Sequence, residues 1–236
     1  MKKSAFIIFS LALLFTVFPP QSATAQTGGY IGIWGGYTIN PFAGSGDYEY
    51  EHHHDDDWEW HYHYDYDLDI EETFALGAKA GFIHPRLKYL AFEFEYFYLN
   101  PDIDPSIIDR YGSDYVAVEG DIKLNNFMFN IIGKYQRGNI HPYIGVGLGL
   151  SGSDVSAAAT DGSMTSVSIG DNNTSFAWQL LTGMEIDLAG NLALDIGYRY
   201  FVTELEFNDT IEFDYDMPRD VDFETGMITL GFKFMF

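Results

Sequence analysis

The stretch that decides the fold closes the chain: Met227-Ile228-Thr229-Leu230-Gly231-Phe232-Lys233-Phe234-Met235-Phe236. Its even-numbered residues are all Ile, Leu or Phe, whereas its odd-numbered residues include Thr, Gly and Lys. Because side chains alternate between the two faces of a β-strand, one face is wholly apolar and the other is unsuited to a dry core. A strand of about ten residues, apolar outward and polar inward, matches a membrane-spanning barrel strand.

The same alternation recurs in seven earlier segments, so the sequence predicts eight strands. The seven are 29–40, 74–82, 89–99, 124–135, 142–150, 176–187 and 192–201. Gly, Pro and Asn mark short turns at 84–86, 137–139 and 189–191. Residues 101–114, 151–174 and 203–225 are predicted to be loops.

Short turns and long loops alternate along this order. That alternation predicts an all-β fold, an eight-stranded antiparallel up-and-down transmembrane β-barrel with long extracellular loops. A closed sheet leaves no unpaired edge, which a bilayer requires because it holds no water to satisfy one.

Residues 1–25 have the features of a signal peptide that is removed. Lys2 and Lys3 precede an apolar run too short for a helical span, and Ala23-Thr24-Ala25 is a small-x-small cleavage site. The mature barrel domain is then 26–236. The chain has no Cys, which excludes disulfides and thiol chemistry.

The chain is strongly acidic, with a formal charge of −23. Removing Lys2 and Lys3 with the signal peptide takes this value from −23 to −25. A field of this sign opposes binding to nucleic acid, heparin or bare anionic lipid, and it favours cations.

Several stretches resemble the opacity-type surface antigens and the OmpA-like eight-stranded outer-membrane barrels. They are Asn130…Tyr135, Pro142-Tyr143-Ile144-Gly145-Val146-Gly147-Leu148-Gly149, Trp178…Gly183 and Tyr198-Arg199-Tyr200. The final Phe236 after alternating apolar residues also resembles the terminal strand of bacterial outer-membrane proteins. The resemblance implies this fold and a bacterial outer-membrane location, with function in the loops. No peptidoglycan-binding domain is expected after the last strand.

Eight charged residues take the inward position on their strands, four acids and four bases. They are Lys79, Glu93, Glu95, Lys134, Glu185, Asp195, Arg199 and Lys233. Buried charges need partners, so we expect an ion-pair network that fills the narrow lumen. A gated pore for small ions is the alternative interpretation.

The first long connection, residues 47–72, alternates acids and His with aromatic residues. The pattern predicts a hairpin with its tip at 52–57, and a second strand that runs without interruption from about Trp58 into 74–82. Its aromatic contact face would comprise Trp58, Trp60, Tyr62, Tyr64 and Tyr66. The ionisable face would continue the lumen face of the barrel. In the last loop the alternation has the opposite parity, which predicts bulges near residues 203 and 225.

Two functional hypotheses arise for this hairpin. In the first it binds divalent cations, because imidazoles beside carboxylates suit zinc, nickel or copper and carboxylates alone suit calcium or magnesium. The candidate metal ligands are His53, His61, His63, Asp65 and Asp67. In the second, the aromatic face contacts an extracellular protein partner, as in an adhesin. The alternative to both is that the charges only solvate an extracellular sheet.

The remaining expectations concern activity and partners. We find no Ser–His arrangement or defined general base, so the chain is predicted not to be an enzyme and to need no cofactor besides a divalent cation. Outer-membrane lipid and lipopolysaccharide are its expected surroundings, with divalent cations linking its carboxylates to lipopolysaccharide phosphates. It is expected to be a monomer.

Overall fold

The computed structural model describes residues 28–44, 48–51, 61–64, 67–111, 114–161, 166–206 and 220–236. The strands in these ranges are β1 Gly28–Gly44, β2 Tyr48–Glu51, β3 His61–Tyr64, β4 Asp67–Asp69, β5 Phe74–Ile83, β6 Leu90–Leu99, β7 Asp102–Tyr111, β8 Asp114–Lys134, β9 Ile140–Asp161, β10 Ser166–Ala189, β11 Leu192–Glu206 and β12 Asp220–Met235. The described ranges contain no helical membrane span. The predicted signal peptide and hairpin tip lie outside them.

Eight of the strands form one closed antiparallel sheet. Their order is β1, β5, β6, β8, β9, β10, β11 and β12, and β12 pairs again with β1. The closing register runs from Tyr30 opposite Met235 to Ile39 opposite Gly226. The predicted eight-stranded barrel is therefore confirmed, and the C-terminal strand is hydrogen-bonded along both edges.

The predicted faces of the barrel strands are also confirmed. On β12, Ile228, Leu230, Phe232 and Phe234 are exposed on the outer wall, while the residues between them are buried. Other exposed outward residues, from other strands, are Ile31, Ile33, Phe74, Leu76, Phe94, Phe127, Ile131, Ile144, Val146, Leu148, Leu150, Phe176 and Leu180. Together they make an apolar band around the barrel, the surface that hydrocarbon requires.

All three predicted loops contain strand in their described residues, and 203–206 and 220–225 belong to β11 and β12. Residues 102–111 form β7, which pairs with the first part of β8. Residues 151–161 and 166–174 continue β9 and β10, which stay in register from Ile140 opposite Ile186 to Thr160 opposite Ser166. The prediction for 151–174 failed because small and polar residues dominate it and give no apolar alternation, and Pro105 interrupts the pattern of 102–111 at a register shift. Backbone pairing needs no such alternation.

The prediction of one uninterrupted second strand is wrong, because residues 71–73 are not β-strand. β4 pairs with β1 beyond this break, and Ile70 forms a bridge to Ile103. Ile70 is buried, although its even number predicts the outward face that Phe74 occupies. The break thus shifts the inward–outward alternation by one residue between β4 and β5. The odd-numbered positions Asp67 and Asp69 of β4 therefore do not continue the lumen face of β5.

Hydrogen bonds of Thr73 secure the break. Thr38 Oγ1 lies 2.6 Å from the Thr73 N–H and accepts its hydrogen bond, and Thr73 Oγ1 donates to the Asn100 carbonyl at 2.9 Å. The Glu71 N–H donates to the Asp102 carbonyl at 2.9 Å. β1, β4 and β7 therefore remain connected above the break.

The bulge predicted near residue 203 is also wrong. β11 and β12 stay in register from Leu192 opposite Phe234 to Glu206 opposite Asp220. The register shift next to residue 225 belongs to β1, between Ile39 and Phe42. Without a bulge in β11, the apolar side chain at Leu205 faces inward.

The inner and outer faces of the barrel wall exchange polarity where the strands extend past the apolar band. Outward positions become polar, as at Asn125, Asp154 and Thr174. The inward positions become apolar and form a cluster buried in the barrel. Its members include Phe97, Leu99, Ile103, Ile122, Leu124, Val155, Phe201, Leu205, Val221 and Phe223. This end has the polar exterior and apolar core of a water-soluble barrel, so the reversal marks the edge of the membrane.

Phe223 and its neighbour Asp222 offer a matched test of this reversal. Phe223 is fully buried and Asp222 is exposed. We expect Phe223→Ala to lower the free energy of unfolding by about 3–5 kcal/mol through lost burial and a cavity. Asp222→Ala should change it by less than about 0.5 kcal/mol. Urea unfolding in lipid vesicles measures both, and equal effects would contradict the inward position of Phe223.

Candidate functional site

The structure brings all eight predicted lumen charges together inside the barrel. Each of the eight side chains is buried, with less than a tenth of its surface exposed. They lie between the large apolar cluster and a smaller one near the short-turn end. Along β12, for example, the buried residues run from Met235 through Lys233 to Met227.

The network has two parts, and the one nearer the short turns is called the lower part. Lys233 is its centre. Its Nζ lies 2.5 Å from Glu185, 3.5 Å from Asp195 and 3.6 Å from Glu93. Lys134 contacts the other oxygen of Glu185 at 2.5 Å. A single ammonium group thus links three carboxylates contributed by three different strands.

Lys79 and two tyrosines complete this part of the network. Lys79 contacts Asp195 at 2.6 Å and Glu93 at 3.9 Å. Tyr30 donates its hydroxyl to Glu93 and Tyr143 donates to Asp195, both at 2.9 Å. Neither tyrosine was predicted to join the network, although the inward parity of both on β1 and β9 was a usable signal.

Arg199 and Glu95 form the upper part, which is the part nearer the large apolar cluster. Arg199 Nη2 donates to Oε1 at 2.8 Å and Nη1 to Oε2 at 3.1 Å, the two-pronged geometry that makes such pairs strong. The guanidinium also lies 3.9 Å from the ring centre of Trp34, which adds a cation–π contact.

Asn130 joins the upper and lower parts, and Gln179 adds hydrogen bonds within the upper part. Asn130 donates to both Glu93 and Glu95 at 3.0 Å. Gln179 donates to Glu95 at 3.0 Å and accepts from Arg199 at 3.1 Å. The network is therefore continuous, and its four acids and four bases balance.

Glycines on the lumen wall make room for the large side chains. A Cβ at Gly77 would lie 2.3 Å from Trp34, and one at Gly147 would lie 2.1 Å from Asn130 Oδ1. Both neighbours belong to the core around the network, so these positions exclude even alanine without rearrangement. The lumen is therefore closely packed at these two positions.

His141 is the described His in closest contact with a carboxylate. Its Nε2 lies 3.1 Å from Asp187 and its Nδ1 lies 3.1 Å from the Tyr135 carbonyl. Both ring nitrogens are engaged in these contacts, so neither is available to take a proton from a substrate. The geometry indicates a structural His.

Lys123 lies on the outer wall beyond the apolar band. It donates to Asp121 at 2.9 Å and is opposite Asp154 in the register of β8 and β9. The hydrogen bond to Asp121 and the charge of that carboxylate raise the pKa of Lys123. This base is therefore matched by acids of its own surface.

The first connection forms a separate two-stranded sheet from β2 and β3, consistent with the predicted hairpin. Glu49 is opposite His63 and Glu51 is opposite His61. Tyr48 is opposite Tyr64, and Tyr50 is opposite Tyr62. Ionisable residues therefore pair with ionisable residues and aromatic residues with aromatic ones.

The remaining candidates on this hairpin are placed only in part. Asp67 begins β4. His53, Trp58, Trp60, Asp65 and Tyr66 lie outside the described residues. Within the described part of the chain, no group of three His, Asp or Glu side chains is arranged to hold a metal ion.

The Arg199–Glu95 pair gives a test of the network. Arg199→Met leaves the buried Glu95 carboxylate without its main partner, so we expect it to lower the free energy of unfolding by about 3–5 kcal/mol. Adding Glu95→Leu removes the stranded charge and should recover much of that loss. Urea unfolding of both single variants and the double variant in lipid vesicles measures the coupling. Strictly additive losses would contradict the pairing.

Comparison with solved structures finds other membrane barrels. Neisserial surface protein A (NspA) is 16% identical with a TM-score of 0.45, and the match covers 92% of this chain and 100% of that one. OprG from Pseudomonas aeruginosa is 12% identical with a TM-score of 0.47, covering 89% and 97%. Ail of Yersinia pestis, solved with the heparin analogue sucrose octasulfate, is 14% identical with a TM-score of 0.39, covering 88% and 99%.

No curated protein matches the chain. The sequence model of the outer membrane protein beta-barrel domain matches residues 8–236, almost the whole length. Together with the closed antiparallel barrel and its outward apolar band, this match places the protein in the bacterial outer membrane. The chain belongs to the outer membrane protein beta-barrel domain family.

Proposed function

We propose that this protein is a sealed, non-enzymatic outer-membrane barrel that displays a cation-binding hairpin to the cell exterior. The observation that carries the proposal is the register of β2 and β3, in which Glu49 is opposite His63 and Glu51 is opposite His61. Residues opposite each other, or two apart on one strand, share a face of an antiparallel pair. Two imidazole-bearing and two carboxylate-bearing positions therefore share one face of the hairpin.

The chemistry of these residues favours a divalent metal. Imidazole nitrogens combined with carboxylate oxygens suit zinc, nickel or copper. His53, Asp65 and Asp67 follow or precede these positions closely in the sequence and can complete the ligand set. Bound cations would also link the acidic hairpin to lipopolysaccharide phosphates, which its negative charge otherwise repels.

The lumen supports a sealed barrel over a narrow ion channel. An ion crossing it would meet Lys233 and Arg199, both held by carboxylates, and then the apolar cluster around Phe201. Ions pass apolar, water-free regions poorly because charge is costly to desolvate. The network thus acts as a polar core that supports the barrel.

Calorimetric titration of the refolded mature barrel with zinc, nickel and calcium at physiological salt tests the metal proposal. We expect saturable binding of one transition metal at micromolar or lower concentration. His61→Ala/His63→Ala should abolish it by removing both imidazoles of the shared face. Tyr62→Ala/Tyr64→Ala is the matched control, since it changes the alternate positions of the same strand and should bind metal as before.

Two outcomes would overturn the metal proposal. One is weak, unsaturable heat with every cation, which would mean that the hairpin is only a charged surface. The other is loss of binding in the tyrosine control as large as in the histidine variant, which would indicate damage to the hairpin rather than loss of ligands.

A second candidate function is adhesion through the aromatic positions. Its support is the pairing of Tyr48 with Tyr64 and of Tyr50 with Tyr62, which puts four tyrosine-bearing positions at the alternate register positions of the hairpin. Exposed aromatic groups are common anchors of protein interfaces. Here we expect binding to an extracellular protein partner that survives chelation and is lost in Trp58→Ala/Trp60→Ala or in the tyrosine variant. Binding that disappears with a chelator would instead assign the contact to the metal.

A further inference from the structure

Three exposed bases lie on two neighbouring short turns of the barrel. Arg86 and Lys88 belong to the turn at 84–89, between β5 and β6, and Arg137 belongs to the turn at 135–139, between β8 and β9. β6 pairs with β8, and the Lys134 N–H donates to the Tyr89 carbonyl at 2.7 Å. The two turns are therefore side by side, and they form a basic patch of Arg86, Lys88 and Arg137.

The first of these turns is held by its own hydrogen bonds. His84 Nδ1 accepts from the backbone N–H of Arg86 at 3.3 Å and of Leu87 at 3.0 Å. The Leu90 N–H donates to the Leu87 carbonyl at 2.8 Å, which closes the turn. An ordered backbone lowers the entropy that binding at Arg86 and Lys88 would cost.

The surroundings of the basic patch contrast with the rest of this acidic chain. The described short turns, residues 84–89, 135–139 and 190–191, contain no Asp or Glu. Asp187, near the second turn, contacts His141. The C-terminal carboxylate of Phe236 lies by Gly28 on β1, across β5 from the first turn. The charge of the basic patch is therefore not matched by acids of its own turns.

Exposed aromatic residues flank the basic patch. Tyr89 is 60% exposed and Tyr135 is 55% exposed, each at the junction of a turn and a strand of the apolar band. Tyrosines in such positions lie at the level of lipid headgroups. The three bases are thus at the membrane interface rather than out in the aqueous periplasm.

We propose that the basic patch binds the phosphate groups of anionic phospholipids in the periplasmic leaflet. In outer-membrane barrels the short turns face the periplasm. Clustered Lys and Arg at a membrane surface recognise anionic headgroups by charge, and Arg can hold a phosphate through two hydrogen bonds. The barrel would then bind cations at its extracellular end and anionic lipid at its periplasmic end. This proposal does not depend on the hairpin.

Native mass spectrometry of the folded mature barrel in neutral detergent tests the proposal. Phosphatidylglycerol and phosphatidylethanolamine with identical acyl chains are added separately. We expect more phosphatidylglycerol than phosphatidylethanolamine to remain bound, and R86Q/K88Q/R137Q to weaken phosphatidylglycerol binding about tenfold or more. R137Q alone, which changes only one turn, should give a partial loss and serves if the triple variant does not fold.

Lys123→Gln is the matched control, because it removes an exposed base from the opposite end of the barrel. It should leave phosphatidylglycerol binding unchanged. Equal binding of the two lipids, an unchanged preference in the triple and R137Q variants, or an equal loss in the Lys123 control would overturn the proposal. Glycerol phosphate, added as a soluble competitor, distinguishes binding of a lipid headgroup from binding of a free phosphate. Complete displacement of the lipid by glycerol phosphate at equal concentration would also overturn the lipid assignment.

Discussion

Backbone hydrogen bonding without water is the constraint on which the rest of this structure depends. Hydrocarbon offers no partner to an unpaired N–H or C=O, so each strand that crosses it must pair along both edges. The pairing of β1 with β12 completes this requirement. Closure also creates an interior narrow enough that side chains from opposite walls must meet and be compatible.

The interior meets that demand with a balanced set of charges. Lys233 holds carboxylates from several strands and Arg199 holds Glu95, which is distant in sequence, and Asn130 connects the two groups. A buried network of this kind adds little net stability but disfavours other registers, because a slip of one residue would turn its charges toward lipid. The charged lumen side chains are engaged with one another, and the two binding proposals concern the two ends of the barrel.

The alternation of apolar and polar residues predicted the barrel strands and their faces correctly wherever one face meets lipid. It failed beyond the membrane edge. Residues 151–174 carry small and polar side chains with no clear period, yet they pair as strands. The bulge near residue 203 and the outward position of Ile70 were predicted wrongly because water replaces lipid there and the apolar side turns inward. The candidate hairpin residues were proposed from the same alternation, and the structure adds the pairing of His61 with Glu51 and of His63 with Glu49.

The sequence by itself determined that this chain is an outer-membrane barrel, which residues face the lumen, and how acidic its long connections are. Those properties follow from local alternation and composition, which need no knowledge of distant contacts. Only the tertiary structure decided which acid meets which base. It also showed that Trp34, Tyr30 and Tyr143 join the network. The adjacency of the turns that carry Arg86, Lys88 and Arg137 likewise follows only from the pairing of β6 with β8. These contacts depend on register and closure, which join residues that the chain separates by many positions.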